Sequence, residues 1–556
     1  MTNEQNSLRI SKGTDYVLVA LLLVIGVAVP LIIALKTGAA RIPQLDDWVY
    51  RKTAINYFHT GVFKIYVGAN GILFGQILLT APVLYVFGIH WYSFTIFSLF
   101  FSVLGITCAY YLARQFLNKF NTFVCVSFLV IFPGLAWSTT TYMTDLPAFS
   151  LELLCLLLGL AAAKSESKRA WSYFLLSMLV GLLGFSIRQF AIAAPMSVLL
   201  YFIFENRANN IKRFLLAGAV EIMCCAGIYL WWERLSGKTN EIFFNAPLIH
   251  SIGAVFISFF TISFVLSPII FPVYVYTSKK ATKWFYISTI AALLVGLIAW
   301  RLFGLFMGTN IEQSGMVVSH LLGLRPNLFP GPIWTVFTII NLFSGAALAG
   351  ISGNYLSKLQ IKNISNVHMN VVSIFLVFMT LELCFLRILG VGEYDRYFWP
   401  VAFSIGLLLL SNFEKMLYLQ KTVISNYFLI SSLSIFYVIS TIYTINSDVY
   451  SVATWKSGWQ LVARGLIPSQ IDAGYTWDGQ FARSNMIVNP LSYDGLNQWW
   501  LDLWKNYVSC GVVANSELHI KQFELVAVHD YHLIGAGAIK HLYLYQNVNS
   551  ACTPLK

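Results

Sequence analysis

The chain has 556 residues, of which 58% are hydrophobic and only 11% are charged. A water-soluble domain usually carries about a quarter charged residues, so this fraction cannot cover a soluble body of such size, and much of the surface must face lipid. Lys and Arg outnumber Asp and Glu by 36 to 24. These basic residues stand in short clusters between apolar runs, a pattern that fits the positive-inside rule and argues against a nucleic-acid partner.

Apolar runs recur along the chain, and crossing a bilayer takes about 20 such residues. The first run, Tyr16 to Lys36, is long for the hydrophobic part of a cleaved signal peptide, so we expect a retained anchor. Twelve more begin near Ser93, Thr122, Pro147, Trp171, Gln189, Phe214, Ser251, Trp284, Ile333, Met369, Phe398 and Asn426. The pattern predicts an all-α polytopic membrane protein with about thirteen transmembrane helices.

The connections between these runs are alternately rich and poor in Lys and Arg. Basic loops stay in the cytoplasm, which predicts a cytoplasmic N-terminus and an extracytoplasmic C-terminal segment, most simply in a bacterial inner or plasma membrane. The stretch from Ile72 to Gly88 is ambiguous, because counting it as a span would invert every later loop. We interpret it as an interfacial helix within a mostly helical first outer loop, 37–92.

The character of the chain changes after about Asp448, where short mixed segments and turn signals replace the apolar runs. We therefore predict a membrane domain over 1–447 and a small α+β extracytoplasmic domain over 448–556. Cys510 and Cys552 are the only cysteines of the second domain, and they would pair as a disulfide in an oxidising compartment.

Three polar motifs lie at the outer ends of predicted spans. Asp46 and Asp47 follow the first span. Adjacent carboxylates repel each other, which raises the pKa of one of them and suits it to act as a general base. Helix capping explains Asp46 equally well. The motif Thr144-Asp145-Leu146-Pro147 opens the fourth span, and capping alone accounts for it. Asp395-Arg396-Tyr397 begins the twelfth, where an Arg among aromatic residues either binds a phosphate or anchors the helix. Arg188 lies on the same side.

The order and spacing of these motifs resemble the C-type membrane glycosyltransferases, and most closely their protein mannosyltransferase and aminoarabinose transferase branch. Asp46, Asp47 and Tyr50 match the branch's Asp-Glu-x-x-Tyr pattern with Asp in place of Glu, and residues 144–147 match its second-loop motif. Asp395-Arg396-Tyr397 with Pro400 looks like the Asp-Arg-Tyr-x-x-Pro of many bacterial members. The stretch 471–475, Ile-Asp-Ala-Gly-Tyr, also looks like one found in some of them.

The resemblance implies that a sugar passes, with inversion, from a polyprenyl-phosphate donor to a glycan, lipid or protein hydroxyl at the outer face. Asp46 would be the general base, and the shorter side chain of Asp47 leaves its catalytic role open. Arg396 and Arg188 would bind the donor phosphate. Asp145 would orient the base, the acceptor or a divalent metal. A cofactor is not required by the motifs, and a metal stays open.

Three acids stand inside predicted spans, namely Glu152, Glu221 and Glu382. Acids within the membrane are candidates for functional residues, and Glu152 shares a helix face with Asp145, seven residues earlier, so we place it near the substrate.

The alternative function is a secondary transporter or flippase. Such proteins show inverted repeats and broken helices near the bilayer midplane. No such repeat is apparent here, and the polar motifs lie at helix ends.

Overall fold

The computed structural model describes residues 12–66, 71–165, 167–204, 211–235, 248–308, 311–313, 321–358, 371–388, 395–417, 423–481, 510–517, 519, 523–535 and 539–548. The helices are α1 (Lys12–Leu23), α2 (Val29–Thr37), α3 (Asp47–Thr60), α4 (Phe74–Phe87), α5 (Trp91–Ala113), α6 (Lys119–Ile131), α7 (Pro133–Ser138), α8 (Asp145–Lys164), α9 (Ser167–Phe185), α10 (Ala193–Phe204), α11 (Ile211–Glu233), α12 (Leu248–Val265), α13 (Ser267–Ser278), α14 (Lys283–Leu302), α15 (Gly331–Lys358), α16 (Val371–Ile388), α17 (Trp399–Leu417), α18 (Val423–Ala463) and α19 (Tyr475–Phe481). The strands are β1 (Ile471–Asp472), β2 (Gly511–Ala514), β3 (Phe523–His532) and β4 (Ile539–Asn547).

Helices form at every predicted apolar run, which confirms a polytopic, mostly helical membrane protein. Among the described residues, seven helices are long and apolar enough to cross a membrane on their own. The run beginning near Ser251 is broken, because α12 and α13 meet at 89° between Val265 and Ser267. Pro268 stands in the first turn of α13, and a proline cannot donate the backbone hydrogen bond that would continue the preceding helix. The count of thirteen spans stays a prediction.

The predicted first outer loop, 37–92, contains two helices, α3 and α4, which agrees with its mostly helical prediction. Helix α4 has 14 residues, which gives a length of about 21 Å against about 30 Å for the hydrocarbon core. One of its faces packs on the protein, where Thr80 Oγ1 and Tyr142 Oη lie 2.6 Å apart. At its C-terminal end Tyr85 and Val86 are 84% and 70% exposed. Its short length and one exposed end fit an interfacial helix.

Helix α18 continues through the predicted domain boundary at residue 448. Its 41 residues span about 60 Å, roughly twice the thickness of the hydrocarbon core. The extension beyond Asp448 carries Tyr450, Ala453 and Leu461, which are buried together with Leu542 and Leu544 of β4. The C-terminal sheet therefore packs directly on the extension of a long apolar helix.

The sheet has the order β1-β2-β4-β3, with β1 parallel to β2 and the other pairs antiparallel. This confirms a small α+β unit at the C-terminal end. Cys510, just before β2, is disulfide-bonded, whereas Cys108, Cys125, Cys155, Cys224, Cys225 and Cys384 are free thiols. Cys552, the predicted partner of Cys510, lies outside the described residues, so the pairing stays a prediction.

Candidate active site

A buried ionic cluster joins the ends of three helices. Asp145 is the first residue of α8, Arg188 follows the end of α9, and Arg396 lies in the 3₁₀ turn before α17. Asp145 Oδ1 accepts hydrogen bonds from Arg188 Nη2 at 2.8 Å and Nε at 3.2 Å, and its Oδ2 accepts one from Arg396 Nε at 3.0 Å. The Asp145 carboxylate thus bridges two guanidinium groups and holds both in place by charge-assisted hydrogen bonds.

Asp46 lies at the open side of this cluster. Its Oδ2 is 3.9 Å from Arg396 Nη2, and its Oδ1 accepts a hydrogen bond of 2.7 Å from Tyr475 Oη. Asp46 occupies the N-cap position of α3, but its side chain makes no capping hydrogen bond. Helix capping therefore does not explain this carboxylate, which is directed toward the arginines instead.

Exposure distinguishes the acids of the site. The Asp46 side chain is 20% exposed, whereas those of Asp145 and Asp47 are 1% and 0% exposed. Burial raises the pKa of Asp46 above its ordinary value, although Arg396, the hydrogen bond from Tyr475 and Arg188 act to lower it. A carboxylate that is accessible and has a raised pKa is suited to accept a proton.

Asp47 does not join the cluster. Its two carboxylate oxygens accept hydrogen bonds from Arg51 Nε at 2.5 Å and Nη2 at 2.6 Å, in a pair one helical turn apart. The Arg51 guanidinium in turn lies 5.4 Å from the centre of the Phe94 ring of α5. Successive helical residues point about 100° apart, so Asp46 and Asp47 face different neighbours. Burial, rather than repulsion from Asp47, is the largest influence on the pKa of Asp46.

Aromatic side chains surround the two arginines. Arg188 Nη2 donates a 2.9 Å hydrogen bond to Tyr397 Oη, and the Arg188 guanidinium lies 5.0 Å from the centre of that ring. Tyr50, one turn after Asp46 on α3, is 2% exposed, and burial together with the charge of Asp46 raises its pKa well above the ordinary value. These rings exclude water from the cluster, which strengthens its electrostatic interactions.

Glu152 lies deeper in the membrane domain. It is seven residues after Asp145 on α8, about 10 Å along the helix, and is 1% exposed. Neither of its carboxylate oxygens has a hydrogen-bond partner among the described residues, so the structure does not bring it into the ionic cluster.

In the same described ranges, no group of three or more His, Cys, Asp or Glu side chains is arranged to hold a metal ion. Both oxygens of Asp145 are occupied by guanidinium groups.

An apolar cavity of about 220 Å³ lies between α6, α12, α15 and α18. Its walls include Phe128, Phe264, Phe337, Phe436 and Ser440. The cavity also reaches Ile311, whose backbone N–H donates a 2.7 Å hydrogen bond to Asp395 Oδ2. Since Asp395 precedes Arg396, the apolar space extends close to the ionic cluster. No sequence motif predicted it, because its lining comes from helices far apart in the chain.

Comparison with known families agrees with the sequence resemblance. Residues 75–232, just over a quarter of the chain, match the sequence model of the family described as dolichyl-phosphate-mannose-protein mannosyltransferase. Over this range the chain is similar to that mannosyltransferase family. The matched range contains Asp145 and Arg188, two of the four charged residues that meet at the site.

Solved structures with a similar arrangement include two crystal structures of ArnT from Cupriavidus metallidurans, one bound to undecaprenyl phosphate and one in the apo state. Both matches cover 98% of this chain and 100% of the ArnT chain, at 12% and 13% identity and TM-scores of 0.44 and 0.43. The archaeal oligosaccharyltransferase AglB from Archaeoglobus fulgidus, in complex with an inhibitory peptide and a dolichol-phosphate, covers 77% of this chain and 57% of its own at 14% identity and a TM-score of 0.35. Among curated protein sequences, none matches this chain.

Proposed function

We propose that this protein transfers a sugar from a polyprenyl-phosphate donor to an acceptor hydroxyl at the outer membrane face. The observation that carries the proposal is one accessible carboxylate beside a buried Arg–Asp–Arg cluster. Asp46 is 20% exposed and lies 3.9 Å from Arg396, which is itself 1% exposed. A general base must reach a diffusing acceptor, whereas the groups that bind the leaving phosphate work best when fixed in a dry environment.

Arg396 and Arg188 supply positive charge where the leaving group becomes more negative. A guanidinium offers a planar fork of donors that fits phosphate oxygens. Asp145 holds both guanidinium groups by hydrogen bonds, so they need little reorganisation during the reaction. Removal of one such preorganised donor typically lowers the rate about 100- to 1,000-fold.

Asp46 takes the proton of the acceptor. The acceptor oxygen forms a bond to the anomeric carbon while the bond from that carbon to the phosphate oxygen breaks. The electron pair of the broken bond leaves with the lipid phosphate, and the acceptor proton moves to an Asp46 oxygen. Attack from the side opposite the leaving group inverts the anomeric configuration. Asp47 contributes by holding Arg51 of the same helix, whose guanidinium lies against the Phe94 ring of α5.

The apolar cavity suits the isoprenoid chain of the donor, since its walls are aliphatic and aromatic except for Ser440 and it extends close to the residue that precedes Arg396. We expect Ser440→Trp, which fills part of this cavity, to raise the KM for a long-chain donor about tenfold, the equivalent of about 1.4 kcal/mol. Initial rates at several donor concentrations measure the change. Ser434→Trp is the matched control, because Ser434 lies on the same helix with its side chain exposed. An equal rise in KM for both variants would contradict this placement.

The proposed reaction is tested with purified protein in liposomes that contain polyprenyl-phosphate hexose or pentose and an envelope membrane fraction as acceptor. We expect free polyprenyl phosphate to appear in amounts equal to the sugar transferred, with the anomeric configuration inverted by NMR. A transporter or flippase would move the intact donor across the bilayer without releasing polyprenyl phosphate. That result would overturn the proposal.

A further inference from the structure

We propose that Tyr475, from the segment that follows the long helix α18, positions Asp46 for catalysis, so that the outer sheet domain completes the active site. This inference rests on the proposed role of Asp46 as the base. Tyr475 Oη donates a 2.7 Å hydrogen bond to Asp46 Oδ1. A contact between residues 429 positions apart is not a consequence of local chain geometry.

The hydrogen bond defines the direction of the carboxylate. With Oδ1 held by Tyr475, Oδ2 is the oxygen that faces Arg396 at 3.9 Å. The tyrosine ring is 4% exposed and packs edge-on against Trp48, with the ring centres 6.0 Å apart. A phenol held in this way is a neutral donor at physiological pH, so it orients Asp46 without adding another charge to the cluster.

Helix α19, which begins at Tyr475, is docked on the same helix that Asp46 precedes. Lys52 Nζ donates a 2.7 Å hydrogen bond to the Gly479 carbonyl oxygen. A Cβ atom at Gly479 would lie 2.2 Å from the Trp48 indole, so only glycine permits this approach. Two independent contacts thus fix α19 against α3.

The residues on either side of Tyr475 in the chain are anchored in the sheet domain. Asp472 Oδ1 accepts a 3.1 Å hydrogen bond from the Gly474 N–H, and Gly474 has a left-handed φ of +84°. Two residues after Tyr475, Trp477 is fully buried and packs 5.1 Å from Trp455 of α18, measured between ring centres. The tyrosine is therefore held between the sheet domain and α3, and it cannot follow a rotation of Asp46.

Positioning matters because the proposed base works over a short distance. A displacement of about 1 Å of a reacting group can cost about 100-fold in rate. We expect Tyr475→Phe, which keeps the ring and removes the hydroxyl, to lower kcat about 10- to 100-fold. The KM for the donor should stay within about twofold, because no contact with the donor phosphate is assigned to this residue.

A pH profile separates positioning from a purely structural effect. The charged and titratable groups that act on Asp46 are Arg396 before α17, Arg188 after α9, Asp145 on α8, Tyr50 on α3 and Tyr475 itself. The hydrogen bond from Tyr475 lowers the pKa of Asp46, so its loss raises that pKa further. Since a general base must be deprotonated, the acidic limb of kcat should move to higher pH in Tyr475→Phe.

The experiment compares kcat–pH profiles of the full-length protein and three variants in the liposome transfer assay. Tyr531→Phe is the matched control, because Tyr531 is a buried tyrosine of the same sheet domain, 5.9 Å from Tyr450 between ring centres; we expect its profile to match the wild type. Gly479→Ala disturbs the docking of α19 and leaves the Tyr475 and Asp46 side chains unchanged. It should reproduce the lower kcat and the shifted acidic limb of the kcat–pH profile.

Two outcomes would overturn the inference. One is a Tyr475→Phe protein with kcat within twofold of the wild type, and the other is a lower kcat with an unshifted acidic limb. If either occurs while Asp46→Asn is inactive, the positioning role is wrong and the proposed function stands. If Asp46→Asn itself transfers sugar at the wild-type rate, the proposed function fails first.

Discussion

Replacement of Asp46 by Asn is expected to lower kcat for sugar transfer about 100- to 10,000-fold, the usual contribution of a general base. The amide has the size of the carboxylate, and its oxygen still accepts the hydrogen bond that Tyr475 donates to Oδ1. It cannot take the acceptor proton. The KM for the donor should change little. Rates of polyprenyl phosphate release at saturating donor measure the effect.

Asp47→Asn is the contrasting variant, one residue further along. It breaks the buried pair with Arg51, so we expect a lower unfolding temperature and a much smaller fall in the kcat of the folded protein. A large loss of kcat at unchanged stability in Asp47→Asn, together with an active Asp46→Asn, would reverse the roles assigned to the two acids.

Asp145→Ala is expected to destabilise the protein by about 3–5 kcal/mol, because it leaves two buried arginines without the carboxylate that bridges them. Little of the loss should be recovered at high salt, since salt screens buried charges weakly. Thermal unfolding in detergent measures the change. Transfer should fall as well, because Arg188 and Arg396 lose their fixed directions.

The matched control for this variant is Asp530→Ala. Asp530 also pairs with a basic side chain, by a 2.7 Å hydrogen bond to His541 Nδ1, but the Asp530 side chain is 58% exposed. Exposed pairs contribute about 0–1 kcal/mol, so the unfolding temperature should barely move. Equal destabilisation by both substitutions would show that the buried cluster has no special structural role.

Much of this architecture follows from local sequence patterns. Apolar runs predicted where helices such as α5 and α8 begin, and the alternation of basic loops predicted that Asp46, Asp145, Arg188 and Arg396 share one side. The structure brings these four residues into one cluster. Hydropathy and charge determine whether a segment lies in lipid or in water, and this is sufficient to predict the helix positions and the shared side of the four residues.

Contacts between distant segments were not predictable in the same way. The pairing of Asp47 with Arg51 depends on the rotation of α3, and an acidic pair in a sequence does not show which member faces the cavity. Tyr475 lay in the stretch 471–475 that resembles bacterial relatives, but its contact with Asp46 requires the docking of α19 on α3. The domain boundary was placed at the change in composition, whereas α18 continues beyond it to Ala463.

Helix α18 connects the apolar cavity to the C-terminal sheet. Phe436, Ile439 and Tyr443 of this helix line the apolar cavity, while Tyr450 and the residues after it support the C-terminal sheet. One residue inserted between these two stretches would turn the sheet by about 100° and advance it by about 1.5 Å relative to the cavity. Tyr475 would then be carried away from Asp46 although neither side chain had changed. The helix acts as a spacer whose length and phase set the alignment between the apolar cavity and the segment that carries Tyr475.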